Sequence, residues 1–261
     1  MAIEEFGRDV LGTTKTWLKV AAGPKAEVLV AAAERAPSGG LMLEIGTYCG
    51  HSAVRLATAK PSARVVTLEA DPIHAIIART IVAFAGLKSR IDVWTGHSRD
   101  VLRYLPGIYG IDGGFNFVFM DQRGSRYEED LGTLEHLALL HPAAIVVADN
   151  VLKPGAPLFL WTVCMSRSFK TQVVRMAEFA MPVEDWMSVS RRLPTKTLKR
   201  SSPPQSLIDL SKEADKMRGR AQTPGGVSFS EWAAFSSKMR RGLGQCGITS
   251  TTDVAGFLNA R

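Results

Sequence analysis

The chain has 261 residues, 46% of them apolar, which fits one large domain, or one domain with an appendage, built around a sizeable core. It contains no run of about 18 apolar residues free of charge, which argues against a membrane span, and its acidic N-terminus without an apolar segment argues against a secretory signal. Three cysteines without metal-ligand spacing are typical of a reduced intracellular protein, and we expect it in the cytoplasm or an organelle.

The formal net charge of +7 belongs to the C-terminal part of the chain. Residues 1–190 hold 19 Lys and Arg against 20 Asp and Glu, which gives −1, whereas residues 191–261 hold 13 against 5, which gives +8. Lys and Arg neutralise phosphates, but this segment has few aromatic residues and no recognisable nucleic-acid-binding motif. We therefore expect a solvated extension, or one docked on an acidic protein partner, rather than a nucleic-acid-binding arm.

The middle of the chain alternates apolar strands with helices, after two opening helices predicted over residues 2–21 and 26–35. Such apolar strands are typical of a parallel sheet covered by helices on both faces. The predicted strands span residues 41–46, 63–69, 90–95, 115–121 and 143–149. The predicted helices between them span residues 51–60, 73–86, 98–105 and 127–140.

The pattern changes beyond the fifth strand. An apolar helix is predicted over residues 158–165, and two extended segments follow over 168–179 and 184–191. Beyond Leu193 the sequence is polar, basic and rich in proline, with helical patterns only at 207–218 and 230–243. We therefore predict a domain over residues 1–192 and a basic C-terminal extension of unknown fold over 193–261.

A glycine turn follows the first predicted strand, and an acid ends the second. Gly46 and Gly50 lie between the apolar run 41–45 and a helical stretch that begins at Ser52, so amide donors and a positive helix end meet there. Glu69 follows Ser52 by 17 residues, and an acid at this place in the fold binds the ribose of a nucleotide cofactor. Such glycines can serve packing alone, but together with Glu69 they favour an adenosine-bearing cofactor.

Polar side chains also end the fourth and fifth predicted strands. Asp121 closes the fourth, and Asp149 and Asn150 close the fifth, at the sheet edge where ligands bind in folds of this class. Two carboxylates and an amide are oxygen ligands of the kind that Mg²⁺ prefers. Each residue could instead cap the helix that follows it, but the three together favour a metal site.

Five segments of the chain resemble catechol O-methyltransferase, a magnesium- and S-adenosylmethionine-dependent member of the class I methyltransferases. The resemblance covers about residues 15–190, and residues 193–261 have no counterpart in it. It implies an α/β, Rossmann-like class I methyltransferase fold with a mostly parallel seven-stranded sheet and helices on both faces. The segments are LMLEIGTYCGHSAVRLA, TLEADP, IVAFAGLKSRI, VFMDQRGSRY and VVADNVLKPGAP.

The resemblance further implies roles for matching positions. Those expected to bind S-adenosylmethionine are Gly46, Tyr48 and Ser52 at its methionine end, Glu69 at the ribose, and Ser98, Gln122, Arg123 and Asp121. Those expected to bind Mg²⁺ are Asp121, Asp149 and Asn150. Those expected to hold the acceptor are Trp17 and Pro154, as walls of the catechol slot, and Glu178, as the carboxylate at the second hydroxyl. Asp121 and Glu178 are therefore the predicted catalytic residues.

Two departures from the family concern the chemistry itself. The family's general-base lysine lies three residues after the first metal-binding Asp, where this chain has Gly124, and a His and a Trp around the adenine are replaced by Gln122 and Arg123. An arginine can still stack on a purine, whereas a glycine offers no proton acceptor. A general base typically contributes 10²–10⁴-fold to a rate, so we expect altered or reduced activity, which Gly124→Lys should raise.

Three functions are compatible with these features. The sequence favours a magnesium- and S-adenosylmethionine-dependent O-methyltransferase that acts on a catechol or phenol. The second is a catalytically impaired structural or regulatory subunit, which binds the nucleoside and docks on a larger assembly through residues 193–261. The third, a nucleic-acid methyltransferase, is the least supported, because it depends on the basic extension alone.

Overall fold

A computed structural model of the chain describes residues 2–10, 18, 20–111, 113–179, 183–194 and 201–253. The strands are β1 Leu41–Ile45, β2 Arg64–Glu69, β3 Ile91–Thr95, β4 Phe115–Met120, β5 Leu140–Ala148, β6 Phe169–Ala177 and β7 Glu184–Arg192. The helices are α1 Ala2–Glu5, α2 Pro24–Arg35, α3 His51–Ala59, α4 Pro72–Phe84, α5 Ser98–Val101, α6 Leu105–Tyr109, α7 Tyr127–His136, α8 Pro157–Met165, α9 Gln205–Ala221 and α10 Phe229–Gln245. Single helical turns lie at Phe6–Val10, Leu102–Tyr104, Gly124–Arg126 and Val151–Gly155.

The seven strands form one sheet in the order β3-β2-β1-β4-β5-β7-β6. Paired strands within the set β1 to β5 run parallel to each other. Strand β7 runs antiparallel to both β5 and β6. The chain moves outward from β1 to β3 and then returns to pair β4 with β1, so the strand order reverses between β1 and β4. Crevices at such a reversal, outside the carboxyl ends of the strands, are where ligands bind in open parallel sheets.

Helices cover both faces of the sheet because the strands are apolar on both sides. In β1, Leu43 and Ile45 belong to the core on one face, whereas Met42 belongs to the core on the other. Helices α2 and α3 pack on the Met42 face with Leu29 and Leu56, both fully buried. The predicted α/β, Rossmann-like class I methyltransferase fold, with a mostly parallel seven-stranded sheet, is confirmed.

The N-terminal part differs from its prediction. A helix over residues 2–21 was expected, but α1 ends at Glu5, a single helical turn follows to Val10, and Val20 and Ala21 are not helical. The second helix begins only at Pro24, after Gly23 with φ +56°. Proline is favoured in the first turn of a helix because its fixed φ is already helical and it has no amide hydrogen that needs a partner.

The C-terminal helices belong to the core on one face of the sheet. Leu207 and Leu210 of α9, and Met239 and Leu243 of α10, are buried in the same hydrophobic cluster as Leu43 of β1. Helix α9 begins two residues before its predicted segment and ends three residues beyond it, and α10 begins one residue before its own and ends two residues beyond it. Among the described residues, no helix is long and apolar enough to cross a membrane. The division of the chain at residue 192 remains a prediction.

Several basic groups of the extension are paired with acids of the same chain. Arg220 forms an ion pair with Glu231, and the Lys238 Nζ lies 2.7 Å from a Glu213 oxygen. Arg240 reaches across to Glu184 at the start of β7, with 3.1 Å between Nη1 and Oε2. The positive charge of this segment is therefore partly compensated within the molecule.

Candidate active site

The glycine turn after β1 lies directly against the end of β4. Gly46 has φ +101°, and a Cβ atom added there would lie 2.6 Å from the backbone oxygen of Asp121. Only glycine allows this approach, since a side chain would need both an unfavourable φ and occupied space. The turn then passes Gly50, at φ +84°, into α3, whose first turn contains the buried Ser52. Gly46 thus lies against the end of β4 and Ser52 in the helix that follows the turn, and their contact with the methionine end of the cofactor remains a prediction.

Glu69 is held beside the same turn. Its Oε2 accepts a hydrogen bond of 2.7 Å from the Tyr48 amide, and its Oε1 accepts one of 2.9 Å from the Asp71 amide. Tyr48 has φ +49°, which directs its amide toward β2, and its ring contacts His74 edge-on at 4.9 Å between centroids. The carboxylate is therefore fixed at the end of β2, where the sequence places the ribose of the cofactor.

Glu44 is a buried acid on β1 that the sequence reasoning did not select. Its Oε2 accepts a hydrogen bond from the Thr67 hydroxyl, whereas its Oε1 has no hydrogen-bond partner among the described residues. Burial, together with the charge of Glu69, raises the pKa of the Glu44 carboxyl to about 7. A buried acceptor without a partner is costly, so the structure suits a ligand with a donor, such as an ammonium group, at this point of the cleft.

Glu44→Gln should remove a pH-dependent loss of stability. The folded-state pKa lies above the usual 4.5, so ionisation of Glu44 favours unfolding as the pH rises from about 4.5 to 7, with no further change above. Between pH 4.5 and 8 the variant should therefore gain up to about 3 kcal/mol relative to the parent protein. Urea unfolding of both proteins at these two pH values measures the difference, and parallel pH dependences would contradict the assignment.

The predicted adenine region is organised by a second unpredicted acid, Asp130 of α7. Its Oδ2 accepts hydrogen bonds from the Ser98 hydroxyl at 2.7 Å and from the Gln122 amide nitrogen at 2.8 Å. Asp130 Oδ1 and Gln122 Oε1 are buried and have no hydrogen-bond partner among the described residues, although Asp130 Oδ1 lies 3.9 Å from Arg126 Nη2 in an ion pair. The structure thus brings Ser98 and Gln122 together and leaves two acceptor atoms for a donor such as an exocyclic amine.

Arg123 does not join this group. Its side chain is 57% exposed, and its guanidinium lies 3.5 Å from Asp215 Oδ1 of α9. The side chain therefore contacts the C-terminal helices rather than Ser98 or Gln122, and its role at the adenine remains a prediction.

A buried lysine, Lys25 of α2, lies among the acids of the predicted metal and acceptor sites. Its Nζ is 2.8 Å from Asp149 Oδ1, 2.9 Å from Glu178 Oε1 and 2.8 Å from Asp185 Oδ2, and its side chain is 0% exposed. Coulombic attraction to these acids raises the pKa of Lys25 well above its usual value, although burial acts in the opposite direction. We call Lys25, Asp149, Glu178 and Asp185 the carboxylate cluster.

Asn150 ties the predicted metal site to this cluster. Its side-chain nitrogen donates to Asp185 Oδ2 at 2.7 Å and to Glu178 Oε2 at 3.3 Å. The residue has φ +54°, a conformation that asparagine tolerates better than most residues. The predicted ligands Asp149 and Asn150 and the predicted acceptor residue Glu178 therefore lie together.

The acids of this region carry more charge than the cations that contact them. Burial raises the pKa of Asp149 to about 7, and burial and the charge of Asp149 raise the pKa of Asp121 well above its usual value. The four acids are Asp121, Asp149, Glu178 and Asp185, and the ammonium groups of Lys25 and Lys153 offset two of them. With all four acids ionised, the excess is two negative charges, the charge of one divalent cation; without such a cation, the raised pKa values of Asp149 and Asp121 reduce this excess by protonation.

The donor chemistry therefore suits Mg²⁺, which prefers carboxylate and amide oxygens. Within the described residues, however, no group of three or more His, Cys, Asp or Glu side chains is arranged to hold a metal ion. The position beside Asp149 Oδ1 is taken by the Lys25 ammonium. Asp121, Asp149 and Asn150 thus remain a predicted ligand set.

Gly124 is closely surrounded by atoms of α9 and of the turn Val151–Gly155. A Cβ atom added there would lie 2.6 Å from Arg218 Nη2 of α9 and 3.1 Å from the backbone oxygen of Gly155. Arg218 donates a hydrogen bond to that same oxygen, and its Nη1 lies 2.9 Å from Asp215 Oδ1. The extension therefore uses space that a side chain at position 124 would need.

Gly124→Lys alone should consequently lower the free energy of unfolding by about 1–3 kcal/mol, the usual cost of overpacking. The gain in turnover expected from the sequence should appear only in Gly124→Lys/Arg218→Ala, in which the guanidinium is removed. Urea unfolding and methyl transfer to catechol measure the two effects. Gly244→Lys is the control, because nothing lies within 4 Å of a Cβ added at that helical position. Equal stability of both lysine variants would contradict the steric argument.

The predicted walls of the acceptor slot are only partly described. Trp17 lies outside the described residues. Pro154 lies in the turn Val151–Gly155 and follows a cis peptide bond with Lys153. Both α9 and α10 pack on this turn, so the extension borders the predicted acceptor slot.

Comparisons with known proteins agree with the motifs. Residues 36–182 match the O-methyltransferase family, a match that ends before α9 and α10. Catechol O-methyltransferase of Sus scrofa is 44% identical over 128 residues, 49% of this chain and 67% of that protein. Catechol O-methyltransferase of Mus musculus is 37% identical over 164 residues, 62% of this chain and 61% of that protein. The predicted resemblance is confirmed, and the chain spans about half to two thirds of the length of these relatives.

A solved structure extends the comparison beyond the family match. The O-methyltransferase from Bacillus cereus, in complex with SAH, is similar with a TM-score of 0.59 and 22% identity. The similarity covers 74% of this chain and 91% of that chain. At this level of identity it supports the fold.

Proposed function

Because the chain belongs to the O-methyltransferase family, we propose that it transfers a methyl group from S-adenosylmethionine to a hydroxyl of a catechol-like small molecule, with Mg²⁺ as cofactor. One observation carries the proposal. Toward the carboxyl ends of β1 and β4, Glu44 Oε1 and Gln122 Oε1 are buried acceptors without a hydrogen-bond partner among the described residues, and burial and neighbouring carboxylates raise the pKa values of Asp121 and Asp149.

The unpaired acceptors suit the donors of the nucleoside. Glu44 Oε1 would accept from the ammonium of the methionine end, while Gln122 Oε1 and Asp130 Oδ1 would accept from the adenine amine. Gly46, Tyr48, Ser52 and Glu69 would complete the contacts on the β1 and β2 side. That two SAM- or SAH-bound solved structures have the same fold supports this choice of cofactor.

Asp121, Asp149 and Asn150 would hold the metal, and Glu178 would accept a hydrogen bond from the second hydroxyl of the acceptor. A bound Mg²⁺ would lower the pKa of the hydroxyl that it contacts. The residues themselves would position the acceptor oxygen in line with the methyl group, and such alignment supplies several kcal/mol of the barrier reduction in related chemistry.

Calorimetry and a transfer assay test the proposal together. S-adenosylmethionine should bind, and methyl transfer to catechol should require Mg²⁺ and fail with a phenol that lacks the second hydroxyl. Cofactor binding without transfer to any member of a catechol panel would instead support the structural or regulatory subunit. Absence of cofactor binding would overturn both functions.

A further inference from the structure

Lys153 is a buried amine at the acceptor end of the site that forms a long ion pair with one acid and, within the described residues, no side-chain hydrogen bond. Its backbone amide donates to Asp185 Oδ1 at 3.0 Å, which fixes the residue beside the carboxylate cluster. Its Nζ lies 4.0 Å from Glu178 Oε2, the predicted contact of the second hydroxyl. In the part of the chain that the structure describes, this nitrogen makes no hydrogen bond to another residue, so the amine is free to face a ligand.

The extension covers this amine with an aromatic ring. The Nζ of Lys153 lies 5.9 Å from the centroid of the Trp232 indole of α10, within the distance of a cation–π contact. Trp232 is itself held edge-on against Phe235 at 6.3 Å. Desolvation by an aromatic neighbour strengthens the field of an ammonium, so the contact both orients the amine and increases its effect on a nearby anion.

The other cations near the site are already committed. The Lys25 ammonium contacts three carboxylates, and the Arg218 guanidinium is bonded to the Gly155 oxygen and to Asp215. Gly124 carries no charge, and Arg218 blocks its side of the turn. Lys153 is therefore the cation best placed to meet the acceptor hydroxyls beside Glu178.

We propose that Lys153, held by Trp232, stabilises the negative charge of the acceptor oxygen during methyl transfer and so offsets the absence of the general-base lysine that the family has at position 124. The inference rests on the proposed function. In the step, the hydroxyl proton leaves to water, and the oxygen lone pair forms a bond to the methyl carbon. The carbon–sulfur bond breaks with its electron pair moving to sulfur, which leaves a neutral thioether.

Comparing methyl transfer to two acceptor substrates distinguishes this role of Lys153 from a merely structural one. Catechol must lose a proton to react, whereas a nitro-substituted catechol is already largely ionised at neutral pH and needs less stabilisation. Lys153→Met should lower kcat/KM about 10²–10³-fold on catechol, the usual cost of removing one oxyanion-stabilising group, and about tenfold or less on nitrocatechol. Lys153→Arg, which keeps the charge, should lie between the parent protein and Lys153→Met on catechol.

A binding measurement gives a readout apart from turnover. With S-adenosylhomocysteine in place of the methyl donor, the absorbance of bound nitrocatechol reports its ionisation as the pH is varied. The pKa of the bound ligand should rise in Lys153→Met, while calorimetry with S-adenosylmethionine should be unchanged. Trp232→Leu should shift the ligand pKa in the same direction, whereas Phe229→Leu, an exposed aromatic residue of the same helix, should not.

The outcomes distinguish this inference from the proposed function. Equal losses on the two acceptors, or an unchanged ligand pKa in Lys153→Met, would overturn the role of Lys153 while leaving the methyltransferase intact. A parent protein that binds S-adenosylmethionine but methylates neither acceptor would overturn the proposed function, and the role of Lys153 with it.

Discussion

Lys25→Met is expected to lower the free energy of unfolding by about 3–5 kcal/mol, the cost observed when one partner of a buried ion pair is removed. Methionine fills a similar volume, so the loss comes from charge rather than from packing. Without the ammonium, Asp149, Glu178 and Asp185 would share a buried space with no cation at its centre. Urea unfolding followed by circular dichroism measures the change.

Lys60→Met is the matched control. Lys60 is also buried, but its Nζ donates to the backbone oxygens of Ala33 and Ala36, so its removal leaves no carboxylate unpaired. Its cost should be nearer the 1–3 kcal/mol of unsatisfied neutral groups. Adding Asp185→Asn to Lys25→Met should recover part of the lost free energy of unfolding. Mg²⁺ should stabilise the single variant Lys25→Met more than it stabilises the parent protein. Equal costs for the two lysines would contradict a special role for Lys25.

Asp121→Asn is expected to lower kcat/KM on catechol on the order of 10³-fold, because a metal contact at the reacting oxygen supplies several kcal/mol. The substitution keeps the size of the side chain and the backbone contact of residue 121 with Gly46 but removes one of the two carboxylates proposed to hold Mg²⁺. A magnesium titration of methyl transfer measures the change, and the concentration for half-maximal stimulation should rise with the loss of rate.

Asp100→Asn serves as the control, because Asp100 is an exposed acid of α5 whose ion pairs are with Arg99 and Arg103. It should leave both turnover and the magnesium titration unchanged. Calorimetry should find only a modest loss of S-adenosylmethionine affinity in Asp121→Asn. Full magnesium-stimulated turnover in this variant would contradict the assignment of Asp121 as a metal ligand.

The strands and the acids at their ends could be predicted because their signal is local. Residues 115–120 are apolar apart from Asn116 and are followed by Asp121, and this pattern alone predicts the acid at the edge of a parallel sheet. The course of Val20 and Ala21 could not be predicted in the same way. Their apolar spacing fits a helix, but Val20 packs against Cys49 and Phe179 from distant parts of the chain, which decides the conformation.

Three residues near the site, Lys25, Glu44 and Arg218, were not predicted from the sequence. Their positions beside the site depend on contacts between distant parts of the chain. Lys25 lies on the helix face of the buried Leu29 and Ala32, four and seven residues later, and a lysine on such a face indicates a buried partner. Glu44 is likewise an acid within an otherwise apolar strand. The position of Arg218 beside Gly124 had no such signal, since it depends on how α9 docks about ninety residues further along the chain.

The two sides of the site are made at different times during translation. Strands β1 to β4 are complete once Met120 has left the ribosome, whereas Arg218 and Trp232 emerge about a hundred residues later. Domains generally acquire structure from the N-terminal end as they are made. Until α9 and α10 follow, a nascent chain leaves apolar residues such as Val151 and Leu152 without their final cover. The growing polypeptide therefore passes through an interval in which these apolar residues are exposed to solvent.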